Sequence, residues 1–209
     1  MLNQSIIEET WNWRTHGLGF LLSLLGAYLL LQSADLHDDK VFFSIVIYSI
    51  SLSLLYLVSF LYHYTRNSKH KQNLRILDHI SIYVLIAGTY SPVTLITISD
   101  GYGLEIFIAV WTLALLGSCL KIFYTGRFEI ISLLLYLIMG WLIVFDISNL
   151  IGKVGMEGLL MLLAGGLVYS LGIIFYVKEK MWFNHVIWHL FVMGGSFLHY
   201  LFIYQYVVK

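Results

Sequence analysis

Charged side chains are scarce in this chain. They make up 11% of its 209 residues, whereas soluble domains carry about a quarter, so a surface built for water is excluded. The charges that remain cancel, twelve basic against twelve acidic, and leave no excess to attract nucleic acid. One cysteine, Cys119, excludes an intrachain disulfide. Lying in an apolar run, it is expected to be a small buried hydrophobe. One proline, Pro92, leaves a single place for a proline bend, with Thr89 or Ser91 expected to satisfy the backbone it frees. Low-complexity tracts and internal repeats are missing. A cleaved signal peptide is not expected: Glu8 and Glu9 stand where such a peptide carries positive charge, and the first apolar stretch is long for its core.

What fills the chain instead is apolar, 59% of all residues. Crossing the hydrocarbon takes about 20 such residues in a row. Seven stretches qualify, roughly 17–34, 41–62, 80–98, 104–120, 130–145, 159–177 and 183–207, the fifth being the shortest. Each must be a helix, because lipid offers the backbone no partners. The polar links are too short to form a further domain. The expected fold is therefore an all-α membrane protein, one seven-transmembrane helix bundle over residues 1–209. Nine Lys and Arg fall on the N-terminal side of this topology; Lys40, Lys153 and Lys209 fall on the other. Positive charge collects in cytoplasmic loops, which predicts a cytoplasmic N-terminus and an outside C-terminus. Trp and Tyr near the span ends read as an interfacial belt. Gly165–Gly166 and Gly194–Gly195 read as close helix contacts.

Against this apolar background the histidines stand out. His185 and His189 are four apart, so they share a helix face and suit a tetrahedral metal. The predicted topology brings His63, at the end of span two, to the same depth. Three neutral imidazoles with one open position form the donor set of a catalytic zinc site, with zinc preferred over iron because no carboxylate ligand is required. Taken singly, each histidine would be a hydrogen-bonded packing residue; convergence at one depth favours a site, since polar residues within spans mark function by default. Asp78 is expected beside the cluster, orienting a ligand or deprotonating water, or else capping span three. Ser59, one turn before His63, could stabilise an oxyanion or bond its own backbone. His199 lies about 15 Å beyond His189, too far to share the metal, and is expected to be hydrogen-bonded beside a cavity. His16, with Glu8, Glu9 and Asn12, falls at the cytoplasmic mouth, either joining the site or capping span one. His37 and His70 are expected in solvent, and His79 to point away.

The stretches "EETWNWRTHGLGF", "SFLYHYT", "LRILDHISIYVLIAGTYSP" and "HVIWHLFVMGGSFLH" together resemble the hemolysin III family, the bacterial branch of the progestin and adipoQ receptor (adiponectin receptor-like) superfamily. The resemblance implies a multi-pass protein of the bacterial inner (plasma) membrane. It also implies Zn2+ near the cytoplasmic leaflet on His63, His185 and His189, with Asp78 and Ser59 close by and His199 in the motif but not ligating. Related receptors and alkaline ceramidases hydrolyse lipid amides. The long N-terminal region of the adiponectin receptors is missing here, and "LDH" replaces their "LDY", so hormone binding is not implied.

Three functions compete. The first is a zinc-dependent hydrolase of lipid amides or esters, with membrane lipid as acyl-chain ligand or substrate. The second is a non-enzymatic sensor or regulator of lipid or energetic state in which zinc ties helices together. The third is a cytolytic protein, which predicts a polar stripe that the apolar outer halves of the spans lack.

Overall fold

The computed structural model describes residues 4–178 and 180–209; residues 1–3 of the expected domain, and Glu179, lie outside them. Among the described residues, seven α-helices carry the fold: α1 (Ile6–Ser33), α2 (Asp39–Tyr64), α3 (Ser68–Pro92), α4 (Gly103–Tyr124), α5 (Glu129–Gly140), α6 (Ile147–Val177) and α7 (Asn184–Phe202). A π-helical turn follows α3 (Val93–Thr97) and another follows α7 (Ile203–Val208), while a 3-10 turn (Leu142–Asp146) joins α5 to α6. Neighbouring helices share one apolar core running from Leu30 and Ile45 through Tyr83 and Met139 to Phe202.

Six helical segments among the described residues are long and apolar enough to cross a membrane. The stretches expected as separate fifth and sixth spans are continuous, forming one 49-residue segment, Glu129–Val177. No polar loop divides them: a 3-10 turn links α5 to α6, and Gly155, with φ +67°, breaks the helical path within α6. α5 itself has only 12 residues, about 18 Å of helix.

α1 begins well before its expected start at residue 17. Ser5 caps it, accepting from the Glu8 N–H while the Glu8 side chain accepts from the Ser5 N–H, so two otherwise orphaned donors are satisfied. Its buried residues are Asn12, His16, Gly19, Ser23, Gly26 and Leu30, a stripe at three- and four-residue spacing. Small and polar residues face the bundle and the leucines face outward, the reverse of a soluble amphipathic helix, because lipid is as apolar as any core. The Tyr56 ring fills the space over Gly19 and the Tyr200 ring that over Gly26, where an added methyl would come within 2.5 Å and 2.9 Å of them.

Two further expectations change. Cys119 is exposed on α4 rather than buried, for the same reason: a small apolar group is as stable against lipid as inside. At Pro92 the hydroxyls of Thr89 and Ser91 bond the carbonyls of Leu85 and Ala87, not the Gly88 carbonyl four residues before the proline. Beyond the proline the ladder widens into the π turn, with the Ile98 N–H donating to Val93 O at 3.0 Å. Of the glycine pairs, Gly165 and Gly195 make the close contacts, beneath the rings of His199 and Tyr169; Gly166 and Gly194 have more room.

Candidate metal centre

α2 and α7 bring three imidazoles together. His63 sits one residue before the end of α2, and His185 and His189 occupy the first two turns of α7. Each offers a ring nitrogen, all within 4.8 Å of one another, and all three residues are buried. Ring centroids are 5.1 Å apart for His63–His185, 5.0 Å for His63–His189 and 4.5 Å for His185–His189.

α1 and α3 orient these rings. Glu9 places Oε2 2.6 Å from His63 Nδ1, and its other oxygen accepts from Lys71 Nζ at 2.6 Å. A carboxylate only accepts, so Nδ1 carries the proton and the Nε2 lone pair is left free. Thr15 Oγ1 lies 3.5 Å from His189 Nδ1. Glu8 accepts the Phe183 N–H at 2.8 Å, holding a residue with φ +61° at the entry to α7. That contact sets the helix that carries both histidines, at a backbone conformation unfavourable for a bulky side chain.

The Nε2 atoms of His63 and His185 are buried with no partner among the described residues. An unmatched buried acceptor costs about 1–3 kcal/mol. Buried imidazoles whose lone pairs go unused beside one another are the donor set a transition metal satisfies, so the residues fit a metal ion; the three lie close enough to bind one.

His185 and His189 line a cavity of about 120 Å³, room for roughly four waters at liquid density. Ser59, Asp78, His79, His16 and His199 all line it, among mostly aliphatic and aromatic side chains. Asp78 does not cap α3: that helix begins at Ser68 with Asn67 as its cap, leaving the Asp78 side chain on the cavity wall. His16 is no cap either. It is 3% exposed, stacks on His189 with centroids 3.6 Å apart, and neither ring nitrogen has a partner among the described residues. His199 lies toward the other end of the cavity, its Nε2 donating to the Leu162 carbonyl at 3.1 Å. His37 and His70 are exposed, though His70 stands in the first turn of α3 rather than in a loop.

Contrary to the expectation that it points away, His79 is buried and lines the cavity, with Nδ1 donating to Arg75 O at 2.7 Å and Nε2 unpartnered among the described residues. Lys71 was not foreseen at all; its spacing from Glu9 in sequence carries no signal, because the pair forms only across α1 and α3. Nearby, Lys121 is fully buried and pairs with Glu129 at 2.6 Å. Remote from the cluster, Asp146 accepts the Tyr102 N–H at 2.9 Å, and Asp100 pairs with Lys153 at 2.6 Å. That ion pair holds the Asp100 carboxyl below the usual carboxylate range.

Comparison with known proteins matches residues 4–200 to the Haemolysin-III related family. Hemolysin-3 of Bacillus cereus is 42% identical over 208 residues, covering 99% of this chain and 95% of that protein. The Hemolysin-3 homolog of Bacillus subtilis is 41% identical over 206 residues, covering 98% and 97%. Human monocyte to macrophage differentiation factor is 29% identical over 213 residues, covering 97% and 85%. No solved structure matches.

Proposed function

The chain belongs to the haemolysin-III related family of integral membrane proteins, and on that premise we propose that it is an intramembrane zinc-dependent hydrolase of lipid amides or esters. One observation carries this reading: three buried imidazoles, those of His63 and His185 with Nε2 unpartnered among the described residues, meet beside an apolar cavity that also presents a carboxylate and a hydroxyl. Three neutral histidines with an open fourth position are the donors of catalytic zinc, and bound zinc supplies a Lewis acid that brings the pKa of a water toward ~7. Glu9 holds the His63 ring with Nδ1 protonated, and Lys71 holds Glu9. Asp78 would accept the proton of the water that attacks the acyl carbonyl and return it to the amine or alkoxide that leaves as the acyl C–N or C–O bond breaks, and Ser59 would donate to the oxygen on which charge develops. The apolar wall takes the acyl chain.

In this reading the bundle crosses the bacterial inner membrane seven times, with its N-terminus and the metal centre at the cytoplasmic leaflet. The contacts of α5 support the count. Its first residue, Glu129, meets Lys121 at the end of α4, while Asp146, closing the 3-10 turn, meets Tyr102 at the start of α4. α6 then returns, since Phe175 near its end accepts from Asn184 at the start of α7. A 49-residue helical segment would extend about 74 Å if straight, more than twice the hydrocarbon thickness. The basic residues gathered at the end where α1 begins support the orientation; a reporter fused at Lys209 should be active only outside.

The test is Asp78→Asn in purified protein assayed with N-palmitoylethanolamine and palmitoyl esters. Zinc content should stay at the native value while turnover falls about 10²–10⁴-fold. Turnover equal to native would remove Asp78 from the chemistry, and a native protein inert toward every long-chain amide and ester would favour the second reading, a sensor with structural zinc. That alternative also has support: α2 packs chiefly on α3 and α1, and α7 on α6, rather than on each other, so a shared ion would tie them directly.

A further inference from the structure

His16 is the polar side chain that the metal centre leaves unexplained. It stands on the buried stripe of α1, 3% exposed, and it lines the cavity. Its ring stacks on His189 at 3.6 Å and meets the Tyr56 ring edge-on at 5.2 Å. Neither Nδ1 nor Nε2 has a hydrogen-bond partner among the described residues. Its nitrogens do not join the group in which the atoms of His63, His185 and His189 lie within 4.8 Å of one another.

A neutral imidazole carries one N–H and one lone pair. Burying both without partners costs about 1–3 kcal/mol for each, and a phenylalanine of similar shape would fill the same space without that cost. A group kept at such a cost is retained for something outside the protein. The stack against His189 covers one face of the ring, and the two unpartnered nitrogens belong to a ring that lines the cavity. That space runs from the metal-binding end toward His199, about 15 Å along α7, and its wall is mostly apolar.

Resting on the hydrolase reading, we propose that His16 is the residue that binds the polar head of the lipid: its N–H donates to the carbonyl oxygen of a long-chain N-acyl amide whose chain lies along the cavity. His16 thereby holds the carbonyl over the open side of the histidine cluster. Its role is in binding and placement, so its loss should act on KM more than on the zinc.

Three measurements on the full-length, zinc-loaded protein in detergent test this: zinc stoichiometry, melting temperature alone, and the rise in melting temperature with N-palmitoylethanolamine, from which an affinity is read. For His16→Phe, we expect native zinc, melting no lower than native, and affinity weaker by at least tenfold. His16→Gln, which keeps a donor and an acceptor, should recover part of that loss, and His16→Ala should not. Where Phe does not fold, the Gln and Ala pair carries the comparison. Affinity of the Phe or Ala protein within threefold of native overturns the proposal, as does lost zinc, which would make His16 a metal ligand. A native protein whose melting the amide leaves unchanged overturns the hydrolase reading and this inference with it; native binding that the variants retain overturns this inference alone.

Discussion

Removing the Glu9 carboxylate should weaken metal binding without removing a ligand. Glu9 Oε2 lies 2.6 Å from His63 Nδ1, on the far side of the ring from the atom that faces the cluster. Outer partners of this kind fix the tautomer and raise ligand basicity, and their loss costs 10–100-fold in metal affinity, or about 1.4–2.8 kcal/mol. The Glu9 side chain is 24% exposed, so water can reach the vacated Nδ1 proton in Glu9→Ala. That places the expected loss near the lower bound, about tenfold. Glu9→Gln keeps an acceptor oxygen but not the charge and should lose about threefold. Lys71→Met leaves the Glu9–His63 contact in place and should stay closer to native than Glu9→Ala. Competition against a chromophoric zinc chelator reads all three. Glu9→Ala within twofold of native would refute the orienting role, and a loss as deep as that of His63→Ala would make Glu9 a ligand itself.

Other substitutions probe the frame. Gly165→Ala would place a methyl 2.2 Å from the His199 ring, and the overpacking should cost about 1–3 kcal/mol in denaturant unfolding. Gly152→Ala, with open space around it, should be neutral or stabilising by up to about 1 kcal/mol; equal effects would show that these contacts do not matter. Glu129→Ala strands the buried Lys121 ammonium and should destabilise by about 3 kcal/mol, while the double variant Lys121→Met with Glu129→Ala should recover most of that. No recovery would argue that the pair is not the cause. Below neutral pH the metal should dissociate progressively, since protons compete for all three imidazoles; a zinc content constant from pH 7 to 4 in equilibrium dialysis would exclude histidine ligation.

Much of the architecture could be read from composition and run length, because a bilayer admits so few structures. The His185–His189 pair was visible from helical periodicity, and its meeting with His63 from alternating span direction alone. The start of α1 was also readable, in the capping box from Ser5 to Glu8, but the charges there suggested a mouth outside the helix. Other features had no local signature. An apolar run does not reveal where its helix type changes, so the 3-10 link after Gly140 was invisible. Apolarity does not distinguish core from lipid, so Cys119 could not be placed. His79 follows Asp78 by about 100° of helix rotation, and both reach the cavity only because it is broad enough to be lined from adjacent positions on α3.

The lone thiol has a practical side. Cys119 lies on the outer surface of α4, on a helix that contributes none of the clustered histidines. Sulfur, the strongest competing donor for soft divalent ions, is thus absent from the centre, and a single thiolate offers poor chelation by itself. Metal-to-protein ratios measured on the purified chain therefore count imidazole occupancy directly, and a maleimide dye on α4 can report bilayer depth without touching the chemistry.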